Sequence, residues 1–223
     1  MPTMRNHSRF SAHFKCVVKA SLTVSMLALT SISAHAIKLE QLQTKLSSEP
    51  LVRGDFSQQR EMAMFDQPLI SSGQFLLSAK KGLWWHQTAP MPVSLVLTQD
   101  KLSQQFDNQP AKVLAASDNP MVFYFSHVFL SLFKGDTSQL TEQFDLSLKT
   151  IKNSKTHEQW QLVLTPKAAP LNKVFSKISI EGGQFINKLE LDEIRGDKTL
   201  ITFSQQTTTP TTLTSEEKRV FQF

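Results

Sequence analysis

The 223-residue chain contains a single cysteine, Cys16, and a single tyrosine, Tyr124. Cys16 falls in a basic leader that has no acidic residue, so beyond residue 36 there is no cysteine at all. A disulfide framework, a thiolate nucleophile and a cysteine-type zinc site are thereby excluded from that part. Histidine is sparse there too: His86, His127 and His157 are far apart and lack a metal-ligand spacing such as H-E-x-x-H. Neither a G-x-S-x-G elbow nor a glycine-rich phosphate loop occurs. An excess of charge is missing as well. Arg5, Arg9, Lys15 and Lys19 lie in the leader, which leaves 20 basic against 19 acidic residues and no basic stripe for nucleic acid. The apolar stretch from Ala20 to Ile32 is interrupted by Ser and Thr and falls short of the roughly 20 residues that a membrane span needs.

What the leader does have is order. Four basic residues, the apolar stretch and Ala34-His35-Ala36 make the three parts of a secretory signal peptide. Residues 1–36 are therefore expected to be removed on export, leaving residues 37–223 as one domain without a lipid anchor. Fourteen of the 16 phenylalanines lie in that remainder, so it is rich in wholly apolar rings.

Leu39, Leu42 and Leu46 predict a short amphipathic helix that ends near Ser47-Ser48-Glu49-Pro50. From Leu51 the period changes to two. Ser71-Gly73-Phe75-Leu77, Val93-Leu95-Leu97, Phe144-Leu146-Leu148 and Trp160-Leu162-Leu164 each alternate with polar neighbours, the pattern of an antiparallel strand with one wet face. About eleven strands are predicted, at 52–62, 69–79, 82–88, 93–98, 101–106, 111–115, 143–152, 157–165, 174–181, 184–193 and 198–205. Gly182-Gly183 reads as a two-residue hairpin turn. A single sheet this wide should curl towards a barrel.

Residues 120–133 break the period. Phe123, Phe125, Phe129, Leu132 and Phe133 belong to a run with almost no polar face. Asn119 and Pro120 suit its start, Gly135 its end, and Asp136 the cap of a short second helix. A helix that is apolar all round has to be buried by protein. Inward-facing Phe75, Leu77, Leu83, Trp85, Leu95, Leu97, Phe144 and Leu146 then either line an apolar cavity under a helical lid or fill an ordinary dry core. Alternation alone serves both. Asp192, Glu193 and Asp197 sit beside Gly196 and read as solvated turn residues, and no catalytic group or metal site is expected.

The order of motifs resembles the periplasmic lipoprotein carrier (LolA) family along nearly all of the chain after residue 36. The resemblance rests on Phe56-Ser57-Gln58, Ser72-Gly73-Gln74-Phe75, Leu83-Trp84-Trp85 followed by Pro90, Asn119-Pro120, Leu164-Thr165-Pro166, and Asp192 to Gly196 with Thr202-x-Ser204. It implies an α+β fold, an incompletely closed antiparallel β-barrel of about eleven strands with lid helices over an apolar cavity. By that resemblance Leu83, Trp85 and Leu95 would line the cavity, and Phe123, Phe129 and Phe133 would face it from the lid; Phe56 is a further candidate for the cavity. The implied function is to bind the acyl chains of lipoproteins in the periplasm. The carrier takes them from an inner-membrane transporter, passes them to an outer-membrane receptor, and acts as a monomer with no cofactor and no chemistry of its own.

Three departures stand out. Ala79, followed by Lys80 and Lys81, takes the place of the family arginine that ties the lid, so the two lysines become the candidate latch, as point charges without the guanidinium fork. Gln99-Asp100 replaces an Asp-Gly turn, and the chain ends soon after Phe221. These features resemble the divergent carriers of aryl-polyene-type clusters. Their cargo would be a non-protein acyl lipid and their donor a proton-driven exporter. A lipid-sensing regulator of the same fold is the other implied alternative.

Overall fold

Period-two alternation becomes an all-antiparallel sheet in the computed structural model, which describes residues 37–118, 123, 127, 130–131, 136–151 and 159–223. The strands are β1 (Leu51–Glu61), β2 (Leu69–Ser78), β3 (Gly82–Ala89), β4 (Val93–Leu97), β5 (Lys101–Phe106) and β6 (Lys112–Ala115). After the connecting segment come β7 (Phe144–Ile151), β8 (Gln159–Pro166), β9 (Phe175–Gly182), β10 (Ile186–Glu193) and β11 (Lys198–Thr207). Their order across the sheet is β6-β5-β4-β3-β2-β1-β11-β10-β9-β8-β7. The first and last strands pair in register from Arg53 with Thr207 to Glu61 with Lys198. Two consecutive strands, β6 and β7, are thus the free edges, and hydrogen bonds do not close the sheet between them. The fold is an open eleven-stranded barrel.

Cross-strand partners point to the same face of a sheet. The registers therefore place Val52, Phe56, Phe75, Leu77, Leu83, Trp85, Leu95 and Leu97 on one inner face. The same face continues through Phe203, Ile201, Leu189, Ile180, Leu162 and Leu148 on the other half. Helix α1 (Leu39–Ser47) buries Leu42 in this core, and α2 (Thr137–Gln143) buries Leu140. Each fully buried side chain of this kind stabilises the fold by about 1.5–3 kcal/mol. The Asp136 carboxylate caps α2, accepting from the Ser138 N–H at 3.2 Å. Phe123, His127, Leu130 and Ser131 are helical, and Phe123 and Leu130 are buried in the same core.

The opposite, outer face has its own buried residues, Leu51, Leu76 and Val96. Arg53, on that face of β1, fastens the C-terminal segment. Its guanidinium donates to both Glu217 oxygens and to the carbonyls of Pro210 (2.8 Å) and Thr212 (3.1 Å). Glu217 lies in α3 (Ser215–Val220), whose capping box joins Thr214 and Glu217 reciprocally.

One turn differs from its sequence reading. β9 ends at Gly182 and β10 begins at Ile186, so three residues separate the strands instead of two. Gly182 sits beneath the Trp160 ring, where a Cβ would come within 2.6 Å of Cζ2. The Trp160 indole N–H donates to the Gly183 carbonyl at 2.9 Å. Gly182 thus makes room for a tryptophan, and neither glycine adopts the left-handed backbone of a two-residue turn.

Candidate functional site

The inner face is apolar from one free edge of the sheet to the other, and its burial is uneven. On it Phe56, Phe75, Leu77, Leu97 and Phe144 are buried. Leu83, Trp85, Leu95, Leu102, Leu146 and Leu148 are only half-buried. Phe123 and Leu130 of the connecting segment are buried in the same core as these residues.

Aromatic packing fills the centre. Phe56 and Trp85 stack, Phe203 meets Phe75 edge-on at 5.1 Å, and Phe203 also approaches Trp85 at 6.3 Å. Between α1, β2, β11 and the β9–β10 turn lies an apolar cleft lined by Leu46, Val52, Phe75, Leu77, Phe185 and Phe203. Its volume is about 20 Å³, room for about one water and far too little for an acyl chain.

All nine strand positions expected to line a cavity share this face. Phe125, Phe129, Leu132 and Phe133 lie outside the described residues. Lys80 and Lys81 are exposed in the β2–β3 turn, and among the described residues neither forms an ion pair. One contact between a described residue of the connecting segment and the barrel rim is His127 Nε2 to the Gln99 carbonyl, 2.7 Å, in the β4–β5 turn. The sequence reading missed it, because the two residues are 28 positions apart and neither has a motif. It also left Trp160, Leu162, Leu164, Ile178, Ile180, Leu189, Ile201 and Phe203 off the lining, although the alternation of β8 to β11 marks them.

The carboxylates near Gly196 are paired. Glu193 and Asp197 meet Arg60 at 3.2 and 3.7 Å, and Asp192 meets Lys177 at 2.8 Å. The Asp192 hydrogen bond and charge hold the Lys177 ammonium above its ordinary pKa. Among the described residues no three His, Cys, Asp or Glu side chains gather where a metal ion could sit.

Fold and face together define a class: an open, single-sheet β-barrel with a largely apolar inner face and helical residues buried against it. Residues 50–223 match the family model described as outer membrane lipoprotein carrier protein LolA, and the chain belongs to that family. No curated protein matches the sequence. Among solved structures the chain is similar to a LolA superfamily protein from Nitrosomonas europaea, with 10% identity over 84% of this chain and 99% of that one, at a TM-score of 0.41. It is also similar to an outer membrane lipoprotein-sorting protein domain from Vibrio parahaemolyticus, with 10% identity, 82% and 96% coverage and a TM-score of 0.44. The MucA/MucB complex of Pseudomonas aeruginosa gives 14% identity, 76% and 56% coverage and a TM-score of 0.45.

Proposed function

We propose that this protein is a periplasmic carrier that takes up the acyl chains of lipoproteins on its inner face and ferries them from the inner to the outer membrane. The observation that carries the reading is the burial of Phe123 and Leu130 in the same apolar core as Phe56, Phe75 and Phe144. Hydrocarbon entering that core takes the place of those two side chains, so cargo and connecting segment compete for one surface.

The energetics favour such a competition. Each buried methylene is worth about 0.8 kcal/mol, so withdrawing two or three acyl chains from a membrane costs tens of kcal/mol. A carrier has to offer comparable apolar area without leaving it bare to water. The segment with Phe123 and Leu130 covers that area until hydrocarbon replaces it, and its return helps to expel the cargo at the receptor. An energy-using inner-membrane transporter as donor and an outer-membrane receptor as acceptor give the exchange its direction. The leader in residues 1–36 supplies the export this requires.

Mass spectrometry of molecules that co-purify with the protein from the periplasm tests the proposal. Acylated lipoproteins are the expected finding. A non-protein acyl lipid would keep the carrier mechanism and change the cargo, in line with Ala79-Lys80-Lys81 standing where the family has its arginine. Recovery of a membrane regulator without any acyl compound would overturn the carrier reading.

A further inference from the structure

All large apolar side chains that are strongly exposed among the described residues lie at one end of the sheet. The β1–β2 hairpin carries Met64 and Phe65, followed by Leu69 and Ile70. Met91 sits in the β3–β4 turn, Phe106 and Val113 flank the β5–β6 turn, and Ile194 follows β10. The registers bring these four tips side by side. Glu61 pairs with Lys198, Ser72 with Ala89, and Val93 with Phe106.

The other end of the same sheet provides an internal comparison. There the turns are made by Ala79-Lys80-Lys81, Thr98-Gln99-Asp100 and Gly183-Gln184-Phe185, with Lys80, Lys81, Gln99, Asp100 and Gln184 exposed. Turn formation therefore does not require apolar tips, and such residues are disfavoured in water. Met64 is 79% exposed and Met91 65%.

We propose that these four tips dock the protein on the interfacial layer of a bilayer of zwitterionic phospholipid. Two observations favour lipid over a protein partner. The apolar groups stand singly or in small sets on separate tips, and lipid closes round each one independently, whereas a protein surface has to match all four at once. Pro68, Pro90, Pro92 and Pro110 in the tips also remove backbone N–H groups that would otherwise lose water in the interface. Charge selects the headgroup. Asp66 and Asp107 balance Lys112 and Arg195, and Asp197 is engaged by Arg60, so the tips offer no net attraction to an anionic surface.

The full chain, expressed in a Gram-negative cell and purified as the soluble product, is floated with phosphatidylcholine vesicles. Binding that persists in high salt is expected. Combined Met64→Ser, Phe65→Ser and Phe106→Ser should lower the bound fraction about tenfold, and Met91→Ser with Ile194→Ser should lower it independently. Gln184→Ser, at the opposite end, should leave it unchanged. Acyl-probe uptake in solution should stay the same in every tip variant, which separates docking from the carrier function. Wild-type protein that fails to float, tip variants that float like wild type, or binding confined to anionic vesicles and lost in salt would each overturn the proposal. So would self-association abolished by the same substitutions, which would make these tips an interface between copies of this chain.

Discussion

Phe56 and Trp85 stack with ring centroids 3.5 Å apart and planes 25° apart, although β2 runs between their strands. Gly73 on β2 is the residue paired with Phe56 and puts no side chain in the way. The contact makes Trp85 a reporter of the inner face. Trp84 lies on the outer face, where its indole donates to Ser94, and Trp160 is fully buried. A brominated fatty acid should therefore quench mainly Trp85, and Trp85→Phe should remove most of that quenching in a fluorescence titration. Undiminished quenching in the variant would place the acyl chain elsewhere.

Gly73→Ala tests how closely β2 and β3 are set beside that pair. A Cβ at Gly73 would press on the His86 carbonyl and lie 2.7 Å from the Gln87 Cα. Both are backbone atoms and cannot swing aside. Overpacking of this kind costs about 1–3 kcal/mol, a fall in Tm of about 2–4 °C for each kcal/mol in a domain of this size. Calorimetry of the variant reads it directly.

The hydrogen bond from His127 to the Gln99 carbonyl fixes the segment that buries Phe123 and Leu130. Losing one such bond costs about 0.5–1.5 kcal/mol. If the segment competes with cargo, His127→Ala should raise the apparent affinity for an acyl probe by about two- to tenfold, without a matching loss of Tm. Lys80→Ala with Lys81→Ala is the parallel measurement for the proposed lysine latch. A gain of similar size would give the lysines a share in holding the lid, and no gain would remove them from it.

Much of this architecture is written in local pattern. The alternation at Phe75-Leu77, Leu95-Leu97 and Phe144-Leu146 is enough to predict strands and a common face, because a period of two leaves a strand no other way to bury its apolar half. What escapes is long-range. Pairing of Arg53–Glu61 with Lys198–Thr207 joins the two ends of the sheet-forming chain, and nothing near either strand encodes it. The opening between β6 and β7 follows from that same pairing. His127 with Gln99, and Arg53 with Glu217, are contacts of side chains that look ordinary in sequence. Gly182-Gly183 reads as a two-residue turn because glycine usually serves turns, while Gly182 ends β9 and leaves clearance under Trp160.

Trp160 offers a further test, since its ring is fully buried and its N–H is satisfied by the Gly183 carbonyl. Trp160→Phe keeps an aromatic ring but leaves that carbonyl without its donor, at a cost of about 1–3 kcal/mol. Gly182→Ala should be destabilising as well, because the new Cβ meets the ring. With both changes together the loss in urea unfolding should fall short of the sum, as the smaller phenylalanine relieves the ring's share of the clash and leaves that of the Phe185 carbonyl.

The Arg53–Glu217 pair sets the acid limit of the C-terminal segment. Both side chains are mostly buried, at 15% and 14% exposure, so solvent screens them less than a surface pair. The hydrogen bond from Arg53 holds the Glu217 carboxyl below its ordinary pKa, against the opposing effect of burial. A lowered pKa in the folded state means that this stabilisation is complete above the unfolded value of about 4.3 and is lost as pH falls through the folded value. The hydrogen-exchange protection factors of residues 213–220, which correct for the slower intrinsic exchange in acid, should therefore fall as the solution is acidified below that point, before the sheet itself opens. Glu217→Gln should loosen the segment already at neutral pH, because Arg53 then keeps a mostly buried charge without its counterion, and should flatten the acid response. An acid response unchanged in Glu217→Gln would show that another carboxylate governs this end of the chain.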